Sequence, residues 1–500
     1  MRQVENDNLA IDKALLGKFN LRLLKKHCAL PISLESGNLK IALGNPYDFA
    51  ALTFISSFHT GKTQIITLPP EEINMYLNKE EALGENSILS KLSKNAENHF
   101  FPAEPSPAAA MLDGIIKTAL ALEASDIHIE PLGGEVRVRY RIDGVLTEKA
   151  RFSEEIYPSI SARLKIISGM NIAEKRLPQD GRINAADAGF DKNLFDFRVS
   201  AMPTVNGEKF AIRILDKTMF YKSRKELGFT KPASEIADKM ISRPYGIILL
   251  AGPTGCGKTT TLYNFLKEVN KPGVNIVTVE DPVEYLVPGI NQIQVNAKTN
   301  LNFANTLRSV IRQDPDIIMI GEIRDEETAK IAIRAAIMGR LVFSTIHTND
   351  APGAWARLAD MGVLNYLLAE SLIGVISQRL VKKLCPNCKT KHRATSAELA
   401  VLGESSPAYV WRPNGCVSCG NSGYKGRVAV YEIMQINDKI REAMMSFTSS
   451  PPHGAAPAVT AEKLRETAKE NGMTPLWEVC KSYVIGGITS PSELMALYME

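Results

Sequence analysis

The run "YGIILLAGP" (residues 245–253) leads directly into "GPTGCGKTTTLYN" (252–264). The first is continuously apolar, as a strand buried on both faces must be. In the second, glycines let backbone amides turn inward around phosphate oxygens. Lys258 is then placed to reach the terminal phosphates, and the Thr259 hydroxyl suits Mg²⁺. Strand, loop and helix together are the context such a loop requires. Gly252, Pro253, Thr254, Gly255, Cys256, Gly257, Lys258, Thr259 and Thr260 are therefore the candidate nucleotide contacts. A glycine-rich turn with a solvated lysine is the plainer alternative.

Three later segments repeat the buried-strand character: "NIVTVEDP" (275–282), "DIIMIGEI" (316–323) and "RLVFSTIHT" (340–348). Helical stretches such as "DEETAKIAIRAAIMG" (325–339) separate them, and that alternation predicts a parallel α/β sheet. Ligands of such sheets gather at the carboxyl ends of the strands. Glu280, Asp281 and Glu284 fall just after one strand, where carboxylates can hold Mg²⁺ waters or polarise an attacking water, although Asp281 could equally cap a helix. Glu322 ends a Walker B type strand, but Gly321 stands where a metal-facing aspartate is usual. That moves the metal burden toward Thr259, Glu280 and Asp281. His347, at a third strand end, can sense the terminal phosphate, against the alternative that a lone histidine is structural.

Length predicts three or four domains in these 500 residues. A surplus of 59 Lys and Arg over 55 Asp and Glu, net +4, is too mild for a chain that coats nucleic acid or anionic lipid by bulk charge. The opening "MRQVENDNLA" does not resemble a signal peptide and no apolar run reaches membrane-spanning length, which predicts a cytoplasmic protein. In a reducing compartment the seven cysteines argue against a disulfide framework. Four of them form "CPNC" (385–388) and "CVSC" (416–419), ligand spacing suited to tetrahedral Zn²⁺. Cys385, Cys388, Cys416 and Cys419 would make a closed structural site. A redox pair is the runner-up, although neither CxxC opens a βαβ unit.

Along the chain, residues 1–95 read as a small α/β domain and "HFFPAEPSPAAA" closes a linker at 96–110. Period-two strands such as "VRVRYRIDGVL" and "FDFRVSAM" mark a domain at 111–222 with a half-exposed antiparallel sheet. "SRKELGFTKPAS" (223–234) reads as a second linker, and 235–500 as the domain of the phosphate loop. That last domain includes the cysteine module at about 380–430 and short helices over 461–500, after the flexible insertion "SFTSSPPHGAAPAV". Within 195–215, a tight turn at Asn206-Gly207 would set Ser200 opposite Arg213 and Arg198 opposite Leu215, with both arginines on one face. Such arginines can clamp a transferring phosphoryl group or simply be solvated. The solvated reading is favoured for Arg137, Arg139 and Arg141.

Six ordered stretches, "ASDIHIEP" (124–131), "EKRLPQDGR" (174–182), the phosphate loop, "VTVEDPVEY" (277–285), "RQDPDIIMIGEIRD" (312–325) and "STIHTNDA" (344–351), closely resemble the secretion ATPases of type II secretion and type IV pilus assembly. The resemblance spans roughly 110–500, and residues 15–75 are more weakly similar to that family's N-terminal docking domain. It implies an α/β multidomain chain in which a PAS-like α+β domain precedes a RecA-like ATPase domain. It further implies a homohexamer using ATP, Mg²⁺ and Zn²⁺, cytoplasmic and peripheral on the inner membrane. Its work would be to turn an inner-membrane platform protein so that pilin-like subunits leave the membrane, with a membrane adaptor as a further partner and no nucleic acid. By motif, Lys258 and Thr259 hold phosphate and Mg²⁺, Glu280 and Glu284 belong to the Asp box, Glu322 is the Walker B acid, His347 the His box residue, and Arg198 and Arg213 the arginine fingers. The tetracysteine module favours the extension branch over retraction. Cys256 replaces a usual serine, and Arg340 stands where "GHLV" is usual. The alternative class is a nucleic-acid motor or zinc-ribbon nucleic-acid-binding ATPase, for which "SQRLVKKLCPNCKTKHR" (377–393) is the dense basic stretch.

Overall fold

In the computed structural model, residues 12–16, 24–25, 28–35, 38–44, 63–77, 107–184, 194–403, 409–446 and 457–499 are described. The 447–456 part of the expected insertion and residues 96–106 of the expected first linker lie outside them. Two compact units divide the chain, residues 1–215 and 216–500.

In the first unit, β1 (Ala29–Glu35) pairs antiparallel with β2 (Asn38–Leu43), and β3 (Thr63–Thr67) lies parallel to β2. Leu30, Leu39, Ile41 and Leu43 form the interior of this small sheet. Residues 107–110 are helical instead of linker, because Pro107 tolerates the first turn of α1 (Pro107–Ala121). There follow β4 (Asp126–Pro131), β5 (Glu135–Ile142), β6 (Val145–Ser153), α2 (Tyr157–Ile167), β7 (Gln179–Ile183), β8 (Phe195–Thr204) and β9 (Gly207–Asp216). They form one sheet in the order β6-β5-β4-β9-β8-β7. Period two governs β5: Val136, Val138 and Tyr140 are buried, and the Tyr140 hydroxyl donates to the Ile115 carbonyl of α1 at 2.9 Å.

The intervening arginines are paired as well as wetted. Arg137, Arg139 and Lys209 converge on Glu130 at 3.0, 2.8 and 2.9 Å. Burial pushes the Glu130 carboxyl up, but Arg139 and Lys209 outweigh it and hold it at about 2. A second ion pair is fully inside: Lys165 Nζ lies 2.5 Å from Glu208 Oε1 and donates to the Glu174 carbonyl at 2.7 Å, with side-chain exposures of 1% and 5%.

The β8–β9 turn differs from the sequence expectation by one residue. Val205 and Asn206 separate the strands, and Gly207, at φ 120°, already belongs to β9 with its carbonyl accepting the Thr204 hydroxyl at 2.6 Å. A shifted turn shifts the register, so the Ser200–Arg213 pairing does not follow from it. Arg198 still alternates with buried Phe197 and Val199, and Arg213 with buried Ile212 and Ile214. Both arginines therefore belong to the sheet's outward face. Arg198 is opposite Arg182 of β7, and Arg213 Nε lies 3.3 Å from Asp126 Oδ1.

The second unit opens on a segment expected as a linker but folded. Ser223 and Glu226 make a capping box for a one-turn helix that ends on left-handed Gly228, and Thr230 caps α3 (Lys231–Ile241) with Pro232 in its first turn. A Cβ at Gly228 would meet the Ala429 carbonyl at 2.4 Å, and Tyr483 donates to the Gly228 carbonyl at 2.6 Å. Local caps and close packing, absent from a composition argument, make this segment ordered.

Then come β10 (Gly246–Ala251), α4 (Lys258–Val269), β11 (Ile276–Glu280), β12 (Asn291–Gln294), β13 (Ile317–Ile320), α5 (Glu326–Ile337), β14 (Leu341–Ile346), α6 (Ala351–Asp360) and β15 (Leu372–Leu384). Beyond them lie β16 (Thr390–Arg393), β17 (Tyr409–Arg412), β18 (Tyr424–Gln435), α7 (Pro457–Glu470), α8 (Leu476–Ile485) and α9 (Pro491–Met499). The main sheet runs β12-β11-β13-β14-β10-β15-β18, parallel except for the antiparallel β15–β18 edge. Every residue of β10, β11, β13 and β14 is buried, as the apolar runs required. Ile247 and Leu249 enter one core layer while Ile248 and Leu250 enter the opposite one, so helices must cover both faces.

Candidate nucleotide site and cysteine centre

The parallel register aligns the strand ends. Ala251 of β10 pairs with Ile346 of β14 on one side and Ser377 of β15 on the other, so Gly252 and His347 leave the sheet at the level of Gln378, where β15 continues. The loop after β10 depends on left-handed backbone at Gly252, Gly255 and Gly257, with φ of 146°, 80° and 91°. Lys258, first residue of α4, is 8% exposed and donates from Nζ to the carbonyls of Gly252 at 2.6 Å and Pro253 at 2.9 Å. Burial lowers its ammonium from the ordinary 10.5, as does Arg379, while Cys256 and Glu322 work the other way. A buried cation beside carbonyl oxygens is a site that gains from an arriving anion. Thr259 is exposed, whereas Cys256 is buried, its thiol pushed up chiefly by desolvation.

Glu322, just past β13, forms an ion pair with Arg324, and its Oε2 lies 3.6 Å from His347 Nε2. Burial first, then Lys258, pulls the His347 imidazole below its ordinary 6.5, with Glu322 opposing. Lys258, Glu322 and His347 are thus electrostatically one group. Asp281 is exposed at the same sheet edge and Glu284 half-buried.

Glu280 departs from the sequence expectation of a metal-facing acid. At 3% exposure, its carboxylate accepts from the Tyr263 hydroxyl at 2.5 Å, Thr278 Oγ1 at 2.6 Å and Gln292 Nε2 at 3.1 Å. Burial and Glu280 itself both push the Tyr263 phenol up, which keeps it a donor. These contacts tie β11 to α4 and β12. Two residues of β15 that no motif marked complete the floor: Gln378 Nε2 donates to the Cys256 carbonyl at 2.6 Å, and Arg379 Nη2 to the Asn349 carbonyl at 3.1 Å. Arg198 and Arg213 belong to the first unit, on the outward face described above.

The four cysteines meet. Sulfur separations are 3.8 Å for Cys385–Cys416, 3.8 Å for Cys388–Cys419 and 3.7 Å for Cys416–Cys419, and all four ligand atoms lie within 4.8 Å of one another. Four sulfurs on a tetrahedron with Zn–S of about 2.3 Å stand about 3.8 Å apart, so the donor set fits Zn²⁺. Burial pushes the Cys388 and Cys416 thiols up. Cys419 feels the same burial, but the amides of Cys416 and Gly423, 3.1 and 3.2 Å from its sulfur, outweigh it and draw its thiol down. Cys385 immediately follows β15, and its amide donates to the Gly423 carbonyl at 2.9 Å, just before β18.

The fold agrees with what the chain resembles among known proteins. A model of the type II/IV secretion system protein family matches residues 103–479, and one of the MshEN domain matches 1–84. Type IV pilus assembly ATPase PilB of Thermus thermophilus is 38% identical over 495 residues, covering 96% of this chain and 54% of that protein, so the chain spans about half the length of this relative. Type II secretion system protein E of Pseudomonas aeruginosa is 41% identical over 409 residues, covering 80% of this chain and 81% of that one. The crystal structure of the pilus retraction motor PilT with bound ADP superposes with a TM-score of 0.53 at 26% identity, over 77% of this chain and 96% of that one. This chain accordingly belongs to the type II/IV secretion system protein family and is one of its ATP hydrolases.

Proposed function

We propose that the chain acts as a homohexamer, on the cytoplasmic side of the inner membrane, that converts ATP hydrolysis into the assembly of a type IV pilus or a type II secretion pseudopilus. The observation that carries this is the grouping of Lys258, Glu322 and His347 at one end of the sheet, beside the 252–260 loop. In this reading the loop amides and Lys258 hold the β- and γ-phosphates, and Thr259 holds Mg²⁺ with carboxylate help from the Asp281 to Glu284 segment. The metal supplies charge neutralisation on the phosphates. Glu322 orients and deprotonates the attacking water, with Arg324 fixing its carboxylate. His347, neutral at pH 7, donates or accepts a hydrogen bond at the terminal phosphate. Glu280 serves through Tyr263 as a brace.

Arg198 and Arg213 serve as the charge clamp of the transition state, delivered to nucleotide only in the closed ring. Residues 1–95 dock on the membrane partner, an inner-membrane platform protein with a membrane adaptor as a further contact; among the described residues no helix is long and apolar enough to cross a membrane. The tetracysteine centre supports extension over retraction. A nucleic-acid motor draws no support from the basic 377–393 stretch. Arg379 is 6% exposed, Lys382 stands over the Tyr424 ring at 5.4 Å, Lys389 over Trp411 at 4.8 Å and Lys391 over Tyr409 at 5.2 Å, so much of that charge serves the module's own packing.

Lys258→Ala tests the site. Loss of hydrolysis in a folded protein is the expected result, and substantial remaining ATPase activity would overturn the assignment. Co-purification of residues 1–110 with the platform protein tests the docking role, and failure to associate would remove it.

A further inference from the structure

We propose that Gln378 is a positioning residue of the phosphate loop, clamping the loop to the first turn of α4 through a head group that donates at one end and accepts at the other. The inference rests on the reading of 252–260 as the loop that holds nucleotide phosphate. Gln378 is 2% exposed in the middle of β15. Its Nε2 donates to the Cys256 carbonyl at 2.6 Å, and its Oε1 accepts from Thr261 Oγ1 at 2.9 Å, Thr261 being 1% exposed. Neither partner has water as a substitute, so both bonds are expensive to lose.

The strand fits the loop closely on two sides. A Cβ on Gly257 would lie 2.7 Å from Gln378 Nε2, and one on Gly252 would lie 2.7 Å from the Gln378 carbonyl. Glycine at these positions therefore serves two ends, the left-handed backbone and the approach of β15. Because a trans peptide is planar, holding the Cys256 carbonyl against Gln378 aims the Gly257 N–H away from β15. One loop amide is thereby oriented before any phosphate arrives, which is the condition for electrostatic preorganisation. Tyr431 buttresses the other end, its hydroxyl 3.5 Å from Thr261 Oγ1 and donating to the Leu227 carbonyl at 3.1 Å.

The two-ended requirement makes the test specific. Glutamine's neutral isostere is a protonated carboxylic acid, which also donates at one oxygen and accepts at the other, whereas a carboxylate cannot donate to the Cys256 carbonyl. In the full-length chain, kcat/KM for ATP and Kd for ADP are measured across pH and expressed as ratios to wild type at each pH. Gln378→Met is expected to lose roughly tenfold or more in both at every pH. Gln378→Glu should approach wild type in acid and fall to the Met level as pH rises through ionisation of the buried carboxyl. A Met variant with wild-type constants, or a Glu variant whose ratio does not change with pH, overturns the clamp. Should the Gln378 variants not fold, Thr261→Val removes the other bond, and unchanged constants in that variant overturn it equally. Full activity in Lys258→Ala would instead sink the reading of the loop itself, so the two failures are distinct.

Discussion

Nε2 of His347 stands 3.6 Å from Oε2 of Glu322, and the imidazole titrates below its ordinary 6.5 because burial and Lys258 outweigh that carboxylate. A lowered histidine is neutral at pH 7 and gains its proton only below 6.5; because the unfolded chain binds that proton more readily, the folded state gains stability as pH rises through that window. Turnover should hold above 6.5 and decline below it, and His347→Ala should lose most turnover together with that acid limb. A pH profile of kcat for both proteins checks this; an unchanged limb in the variant assigns it to another group.

Glu322→Gln keeps the shape of the side chain and removes its basicity. Hydrolysis should fall by about a hundredfold or more, while ATP still binds, because Lys258 and the loop amides are untouched. Single-turnover rates beside an equilibrium Kd separate the two effects.

Arg213 is 65% exposed and its ion pair with Asp126 lies at the solvent surface, where such pairs contribute about 0–1 kcal/mol. Arg213→Ala should therefore unfold at nearly the wild-type denaturant concentration, yet turn over about a hundredfold more slowly with little change in nucleotide Kd. Rates measured from monomer to hexamer carry the decision: a monomer as fast as the ring, or a variant as fast as wild type, makes the arginine structural.

Lys165 and Glu208 give the opposite balance. Both are almost fully buried, so Glu208→Ala leaves an ammonium with no counter-charge and should destabilise the first unit by roughly 3–5 kcal/mol. Urea unfolding followed within that unit checks it.

One Zn²⁺ per chain is expected from metal analysis of protein purified without chelator. Cys385 is wholly buried and continues directly from β15, so Cys385→Ser should lose the metal and destabilise the second unit by at least about 3 kcal/mol. Protein without stoichiometric metal would refute the centre.

What could be read from the chain followed from strong local signals. Apolar runs at 246–251 and 341–346 announced buried strands, and the CxxC spacing announced its centre. Glu280 was legible as a strand-end acid but not as a brace, because the Tyr263 hydroxyl that fixes it comes from the second turn of another element, α4. Gln378 and Arg379 were hidden in a basic stretch, since nothing local says that β15 lies beside β10. In the 223–234 segment Gly228 and Pro232 suggest a break, whereas Ser223 and Thr230 each cap a helix there. The β8–β9 turn moved because Gly207 could serve the strand as well as the turn.

The β15–β18 ribbon closes with Leu384 opposite Tyr424 and the Cys385 amide on the Gly423 carbonyl. Everything between those two pairs, all four thiols included, is in topological terms the tip of a hairpin. A short turn joining Leu384 to Tyr424 would leave each rung of the main sheet in place, with Gln378 still beside the loop. The unmatched surface would be on the C-terminal helices, where Lys389 meets the Gly487 carbonyl and Trp411 covers Gly487. The cysteine module is thus attached to the sheet at one hairpin end and to the rest of the unit through the final helices.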